Sequence, residues 1–277
     1  MEFRRAELLN SFWLYMNLQK PANPSNWRDL DMVNRDQLVA YLDEYLTISE
    51  IQDYGPQGLQ VEGKEAVSQI ITGVSLSLEL IDHAVQKKAD MILVHHGLLW
   101  NKESHVIKGH FKKRIYRLLQ HEITLLAYHL PLDKHETVGN NWGAARALGF
   151  SNLVPFGQVG VRCQSLAMDK EELIQKLKSL YQSDALMFDF GPETIRSLAI
   201  SSGGGAKEFQ LAIDLGLDAF ITGEPSEPAL ALAKENEIHF IAAGHYATET
   251  IGVQLLGKHI SDKFGIPVTF IDIPNPV

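Results

Sequence analysis

Cysteine is almost absent from the sequence, because Cys163 is the only one among 277 residues. A single thiol cannot form an internal disulfide, so the composition gives no sign of an oxidising compartment. Long apolar runs are also missing, since no segment approaches the roughly twenty residues that a transmembrane helix needs. We therefore expect a cytoplasmic protein without membrane contacts, in which Cys163 has no catalytic role.

Basic residues are also scarce. The chain has 25 lysines and arginines against 34 aspartates and glutamates, which gives a formal net charge of −9. Clustered basic side chains supply most of the affinity for a phosphate backbone, so this balance argues against a nucleic-acid partner. Apolar residues make up 45% of the chain, which is enough to bury the core of one large domain or of two modest domains.

The N-terminal segment differs in pattern from the rest of the chain. Pro21, Pro24 and Asn26 interrupt it, and a clean amphipathic pattern begins only after Met32. We interpret residues 1–31 as an N-terminal extension and Met32 as the functional start. The alternative is a small partner-binding helix within the extension.

A strand–helix–strand pattern follows and occurs twice. In the first copy, apolar runs predict strands at 69–74, 89–94 and 123–127, with helices at 76–88 and 109–120. In the second copy, the predicted strands are 197–201, 217–222 and 238–242, and the predicted helices are 206–215 and 226–235. The shared order and lengths indicate an internal duplication. The alternative is two unrelated stretches, because such units resemble one another in any case.

Repeated units of this kind predict an α/β fold with two similar domains, each built on a largely parallel sheet. We place the first domain at 32–133 and the second at 134–265. The C-terminal segment 266–277 is a candidate for a further strand of the first domain. Open α/β sheets bind ligands outside the carboxyl ends of their strands, so we expect a site in the cleft between the domains.

Histidine and carboxylate side chains cluster at three places, each after a predicted strand. The clusters are His95 with His96, His129 with Asp133, and His245 with Glu249. Corresponding strand ends of two similar domains can face each other across a cleft, so we expect these side chains to converge. Imidazole and carboxylate groups are ligands of transition-metal ions, and the pattern therefore predicts a metal site.

The number of donors indicates two ions rather than one. Three imidazoles, from His95, His96 and His245, and two carboxylates, from Asp133 and Glu249, exceed the roughly three protein ligands of a catalytic zinc ion. Two ions that lie about 3.5–4 Å apart can activate one shared water. Without a thiolate, the ligand set suits zinc, iron, manganese, nickel or cobalt and does not choose among them.

Seven segments match the motifs of one known family. They are YGPQGLQVEG at 54–63, VHHG at 94–97, HLPLD at 129–133, GGG at 203–205, FITGE at 220–224, GHYATE at 244–249 and FIDIPNP at 270–276. With these motifs the chain, from Met32 to Val277, resembles the Nif-three-like dinuclear metal-centre family, whose members are also called GTP cyclohydrolase type-two homologues.

The resemblance implies a two-domain α/β subunit of the short form, which lacks the extra domain that some relatives insert between the halves. It implies a homo-hexameric toroid whose sites face an internal cavity. It also implies a pair of divalent metal ions held by His95, His96, Asp133, His245 and Glu249. The implied substrate is a purine nucleotide or a related phosphorylated small molecule, with GTP cyclohydrolase-type ring opening as the reaction.

Several residues near the predicted metal ligands in the sequence are candidates for further roles. Gly203–Gly205 links a strand to a helix and is either an anion site or a tight turn. Glu224 adjoins a ligand cluster, where it either orients a ligand or only packs. The segment Asn140–Trp142 is interpreted as a helix cap with a packed aromatic residue. His129 is the candidate catalytic residue, because it lies beside the predicted ligands and can transfer protons.

Two classes of function fit such a site. The first is a dinuclear-metal-dependent hydrolase, in which an activated water attacks a nucleotide or another phosphorylated small molecule and His129 or Glu249 transfers protons. The second is a non-enzymatic metal-binding hexamer that stores or delivers metal or serves as an assembly platform. Ligands shared by two ions leave positions open for water, which favours catalysis.

Overall fold

The computed structural model describes residues 32–104 and 106–277 of the chain. They form a mixed α/β protein with two compact units. We call residues 32–132 and 252–273 the first unit, and residues 133–251 and 274–277 the second unit. The extension predicted for residues 1–31 lies outside the described residues. Within the described residues, no helix combines the length and the apolar character that crossing a lipid bilayer requires.

The strands and helices are numbered in chain order. The strands are β1 (Val33–Asn34), β2 (Gly58–Val61), β3 (Ala66–Val67), β4 (Ile70–Ser75), β5 (Met91–His96), β6 (Thr124–Ala127), β7 (Leu153–Phe156), β8 (Gly160–Asp169), β9 (Leu186–Phe188), β10 (Thr194–Ser201), β11 (Ala219–Thr222), β12 (His239–Ala242) and β13 (Val268–Phe270). The α-helices are α1 (Arg35–Tyr45), α2 (Leu78–Gln86), α3 (Gly109–Gln120), α4 (Leu130–Lys134), α5 (Asn140–Ala147), α6 (Lys170–Tyr181), α7 (Phe209–Asp214), α8 (Ala229–Glu235), α9 (His245–Thr248) and α10 (Thr250–Phe264). Short 3-10 helices lie at Ile48–Glu50 and Gly205–Glu208.

The first unit is built on a five-stranded sheet with the order β13-β4-β5-β6-β2. Its first four strands are parallel to their neighbours, and β2 runs antiparallel to β6. The central strands β4 and β5 consist mostly of apolar residues, the pattern of parallel strands that are buried on both faces. Ile70–Val74 and Met91–Val94 are indeed all buried.

Helix α2 packs into the core of this unit through one apolar stripe. Its buried residues Leu80, Ile81 and Ala84 lie on one face of the helix and share a core cluster with side chains of β4, β5 and β6. Burial of each leucine or isoleucine stabilises the fold by about 1.5–3 kcal/mol. The helix starts after Ser77, whose hydroxyl accepts a hydrogen bond from the Leu80 N–H over 3.0 Å and caps this end.

The second unit contains a six-stranded mixed sheet with the order β7-β8-β10-β11-β12-β9. The strands β10, β11 and β12 are parallel neighbours, whereas β7, β8 and β9 pair antiparallel. Phe209, Phe220 and Phe240 are buried in the core of this unit. The rings of Phe209 and Phe240 meet edge to face, with centroids 4.9 Å apart, an arrangement that aromatic pairs favour.

The predicted α/β fold class is confirmed, because helices and parallel-rich sheets make up both units. Each unit contains three neighbouring parallel strands connected by helices, β4-β5-β6 in the first and β10-β11-β12 in the second. The strand β13 lies at the edge of the first unit's sheet, parallel to β4. The internal duplication and the cleft stay predictions.

The middle of the chain contains elements that the sequence pattern does not predict. The long strand β8 pairs antiparallel with both β7 and β10. It alternates buried residues such as Val161 and Cys163 with the exposed Gln164, so it has no continuous apolar run.

Cys163 is 2% exposed, and its burial raises the pKa of the thiol to about 11. The thiol therefore stays protonated at neutral pH.

Candidate metal centre

The two adjacent histidines predicted as metal ligands are the last residues of β5. His95 is fully buried and His96 is partly exposed. Successive side chains alternate along a strand, yet the centroids of the two rings lie only 4.7 Å apart. Because β5 lies between β4 and β6, both histidines sit at the carboxyl edge of the first unit's sheet, where open α/β sheets bind ligands.

His129 joins this pair from the neighbouring strand. It follows shortly after β6, and the parallel strands β5 and β6 end at the same edge of the sheet. The ring centroid of His129 lies 4.8 Å from that of His95 and 5.4 Å from that of His96. One ring nitrogen of each residue lies within 4.8 Å of the other two. We call His95, His96 and His129 the histidine cluster.

Each ring of the histidine cluster is held through its Nδ1 atom. The contacts of Nδ1 are His95 with the Tyr128 carbonyl oxygen at 3.0 Å, His96 with Ser75 Oγ at 2.9 Å, and His129 with Asp53 Oδ1 at 2.8 Å. A carbonyl and an ionised carboxylate can only accept a hydrogen bond, so Nδ1 of His95 and His129 carries the proton. Nε2 of both residues therefore carries the lone pair that a metal ion or a proton can bind.

The carboxylate that holds His129 is almost fully buried, with 2% of the Asp53 side chain exposed. Oδ1 also accepts the Tyr54 N–H at 2.6 Å, and Oδ2 accepts the Leu130 N–H at 2.8 Å. Burial raises the pKa of Asp53, but the hydrogen bond from the His129 ring and these backbone donors outweigh it and hold the pKa below its ordinary value. Gln57 Oε1 accepts the backbone N–H of His129 at 2.6 Å.

Asp53 and Gln57 are not predicted from the sequence. Neither belongs to a cluster of metal-ligand residue types, and their partner His129 lies more than seventy residues away. The signal that could mark them is their position, because Gln57 lies within the motif 54–63 and Asp53 directly precedes it.

In the second unit, His245 is the first residue of the short helix α9, and Glu249 directly follows that helix. Their four-residue spacing places both side chains on one face, and His245 Nε2 lies 3.2 Å from Glu249 Oε1. Glu224, which follows β11, hydrogen-bonds to His245 Nδ1. The hydrogen bonds to Glu249 and Glu224 outweigh burial and raise the pKa of His245 to about 9. The two carboxylates thus create a position that favours positive charge, and Glu224 orients the imidazole.

Asp133 lies in the second unit and is 4% exposed. Its Oδ1 accepts hydrogen bonds from Asn140 Nδ2 at 2.8 Å and from Ser202 Oγ at 3.2 Å. Asn141 Oδ1 accepts the Ser202 N–H at 2.7 Å, and Asn141 Nδ2 donates to the Val159 carbonyl at 3.1 Å. Buried hydrogen-bonded partners of this kind orient the carboxylates that bind metal ions.

The interpretation of Asn140 and Asn141 as a helix cap is therefore wrong. The N-cap residue of α5 is Gly139, and among the described residues no side chain caps this end. Both asparagine side chains are buried: Asn140 donates to the buried carboxylate of Asp133, which needs a hydrogen-bond partner, and Asn141 bonds to backbone groups. Trp142 is a packed aromatic residue, with 8% of its surface exposed.

Gly203 forms a tight turn that makes room for the Glu249 carboxylate. Its φ of +58° lies in the left-handed region, and a Cβ at this position would overlap Glu249 Oε1. Its N–H donates to Thr248 Oγ1 at 2.9 Å, and its carbonyl accepts the N–H of Gly223 at 3.0 Å. The structure favours the turn interpretation over the anion site, because the Gly203 N–H already has a protein partner.

The loops that contact the histidine cluster also line a cavity of about 560 Å³ in the first unit. Its lining residues are Gly55, Pro56, Leu99 and Asn101. Next to these, the rings of Trp100 and Tyr54 lie with their centroids 5.3 Å and 5.9 Å from that of His129. The cavity is large enough for a small molecule.

The donors of both units fit divalent transition-metal ions. The histidine cluster offers nitrogen donors within 4.8 Å of one another, and the second unit offers an imidazole beside the carboxylate of Glu249. Such nitrogen and oxygen ligands suit zinc, iron, manganese, nickel and cobalt. The partners at Nδ1 resemble those of metal-binding histidines, which usually donate their second N–H to a carbonyl or a carboxylate.

Comparison with known proteins identifies the family of the chain. Residues 33–276 match the family described as Duf34/NIF3 (NGG1p interacting factor 3). The chain belongs to the Duf34/NIF3 family. The family resemblance seen in the motifs is thereby confirmed. The match covers the chain from Val33 to Pro276.

Relatives within the NIF3 family are similar over nearly their whole length. The "GTP cyclohydrolase 1 type 2 homolog" of Yersinia pestis is 42% identical over 246 residues, which cover 87% of this chain and 98% of the relative. The protein of the same name from Pseudomonas aeruginosa is 44% identical over 245 residues, which cover 86% and 97%. Among solved structures, the protein TTHA1606 from Thermus thermophilus is 37% identical with a TM-score of 0.83, covering 88% of this chain and all of that one.

Proposed function

We propose that this NIF3-family protein is a dinuclear-metal-dependent hydrolase that acts on a nucleotide or another phosphorylated small molecule. The proposed ligands of the two divalent ions are His95, His96, Asp133, His245 and Glu249. The observation that carries the proposal is the histidine cluster, in which one ring nitrogen of each residue lies within 4.8 Å of the other two and each Nδ1 atom has a hydrogen-bond partner. The hydrogen-bonded carboxylates of the second unit support it.

The bound ions would supply an activated water and would stabilise the negative charge that develops on the substrate. His129 is the proposed catalytic residue. Its Nε2 carries the lone pair, so it accepts a proton from the attacking water and returns it to the leaving group. Asn140 and Ser202 orient Asp133, and Glu224 orients His245.

The proposed substrate class rests on two observations. The relatives from Yersinia pestis and Pseudomonas aeruginosa are named as homologues of a GTP cyclohydrolase, which suggests a purine nucleotide and a ring-opening hydrolysis. The cavity of about 560 Å³ in the first unit has the size of a small-molecule pocket.

We propose further that the protein acts in the cytoplasm as a homo-hexamer. Sedimentation velocity should then give a molecular mass of six times that of one chain.

The proposal is tested by metal analysis followed by hydrolysis assays across nucleotides and phosphoesters. We expect the native protein to bind two ions per chain, and His96→Ala and Glu249→Ala to bind fewer. Hydrolysis should fall by about 100-fold or more in both variants, the size of effect that follows loss of one preorganised electrostatic group. His110→Ala is the matched control, because His110 is an exposed histidine of the same unit as His96.

Two results would contradict the proposal. If the native protein binds no divalent metal, the ligand assignment is wrong. If the native protein binds metal but its hydrolysis of every substrate equals that of the two variants, the function is metal storage, metal delivery or assembly instead.

A further inference from the structure

The carboxylate of Asp53 contacts the segment around His129 through both of its oxygens. One oxygen binds both the His129 ring and the Tyr54 N–H, and the other binds the Leu130 N–H. Gln57, from the same loop, accepts the backbone N–H of His129. The loop 53–57 thus fixes the main chain and the imidazole of His129 together.

The geometry determines which nitrogen of His129 carries the proton. Nδ1 lies 2.8 Å from Asp53 Oδ1, and a buried carboxylate that already accepts backbone N–H groups is an acceptor and not a donor. The neutral imidazole must therefore be protonated at Nδ1. Nε2 is left with its lone pair, and one ring nitrogen of His129 lies within 4.8 Å of a ring nitrogen of His95 and of His96.

We propose that Asp53 is the positioning residue that holds His129 as the Nδ1–H tautomer, with Nε2 as the proton acceptor at the site. This inference rests on the proposed function, in which His129 transfers the proton. A base that is oriented by a carboxylate keeps one tautomer and one ring orientation, and loss of such a carboxylate leaves the base in the wrong tautomer. Asp53 itself does not touch the reacting atoms.

The neighbouring residue pair provides a matched control. Tyr128 directly precedes His129, and its hydroxyl donates a hydrogen bond to Asp43 Oδ1 at 2.7 Å. Both Asp43 and Asp53 lie in the first unit, and each accepts a hydrogen bond from a side chain: Asp43 from Tyr128 and Asp53 from the next residue, His129. Asp43→Ala therefore makes the same chemical change beside His129 without touching its ring partner.

The test is solid-state ¹⁵N NMR of histidine-labelled, metal-free, full-length protein, with the His129 signals assigned by their loss in His129→Gln. In the native protein we expect neutral His129 to be protonated at Nδ1. In Asp53→Ala the Nε2–H form should appear, whereas Asp43→Ala should keep the native signal. Two results would overturn the proposal. The first is a native His129 that carries its proton at Nε2. The second is a His129 signal that stays unchanged in a folded Asp53→Ala protein.

A second readout separates positioning from metal binding. Asp53→Ala and His129→Gln should both retain two ions per chain, while kcat of Asp53→Ala falls by about 10²–10⁴-fold at nearly unchanged KM. Loss of an ion in both variants would make His129 a metal ligand and overturn the proposal. If the native protein neither binds metal nor hydrolyses any substrate, the proposed function fails, but the NMR experiment still decides the role of Asp53.

Discussion

The side-chain amide of Asn140 donates a hydrogen bond to Asp133 Oδ1 over 2.8 Å, and both residues are buried in the second unit. We predict that Asn140→Ala lowers the affinity for one of the two ions by about 10- to 100-fold, because the carboxylate loses one of the partners that orient it. Titration calorimetry with zinc measures the change. Asn236→Ala is the control, since Asn236 is exposed and its side chain bonds to the Leu232 carbonyl of its own helix. Equal affinities in the two variants would show that Asp133 needs no such support.

Gly203 offers a second test of the site, because its missing side chain makes room for Glu249 Oε1. We predict that Gly203→Ala destabilises the fold by about 1–2 kcal/mol through its positive φ, and that it also displaces Glu249 and weakens metal binding. Gly216→Ala is the control, because Gly216 has a φ of +63° and open space around it. It should show the loss of stability alone. Metal binding that is equally retained in both variants would count against a role of the Gly203 turn in placing the carboxylate.

Asp90 provides a test of pH dependence away from the site. Burial opposes its ionisation, but hydrogen bonds from the Ser68 hydroxyl and N–H and the ion pair with Lys64 hold the pKa of Asp90 below its ordinary value. Because the folded-state pKa lies below the unfolded value of about 3.9, the carboxylate stabilises the fold at neutral pH. This contribution is lost as the pH falls through the folded-state pKa.

We therefore expect Asp90→Asn to lower the free energy of unfolding at pH 7 by about 1–3 kcal/mol, the cost of a lost charged hydrogen bond. The difference from the native protein should shrink as the pH is lowered below about 4. Urea denaturation at several pH values measures both quantities, and Asp214→Asn on an exposed helix end is the control. A difference that stays constant down to about pH 2 would mean that the carboxylate of Asp90 has no special stabilising role.

The parts of the fold that the sequence predicts are the parallel strands. The strands β4, β5 and β12 are short apolar runs between helical segments, because parallel strands are buried on both faces. The antiparallel β8 is missed because it mixes polar and apolar residues, and β9 is missed because its apolar run is only three residues long. The helix expected at 206–215 starts as the 3-10 helix Gly205–Glu208, a boundary that the tight turn at Gly203 sets and that helical periodicity does not reveal.

The site is predictable where residue type alone carries the chemistry. Adjacent histidines at the end of an apolar strand are visible in the sequence, and so is the His245–Glu249 spacing. The residues that orient these side chains are not visible, because Asp53, Asn140 and Ser202 are of types that are common on protein surfaces. Asp53 and His129 are 76 residues apart in the chain, and only the folded sheet brings them together.

The edge strand β13 has a consequence for synthesis. It joins β4 from a position in the chain that follows the whole of residues 133–251. A growing polypeptide therefore emerges from the ribosome with Ile70 and Ile71 long before their neighbouring strand exists. During that interval an unpaired row of backbone groups can pair with other nascent chains, so protection of this edge by a chaperone matters until β13 has left the ribosome.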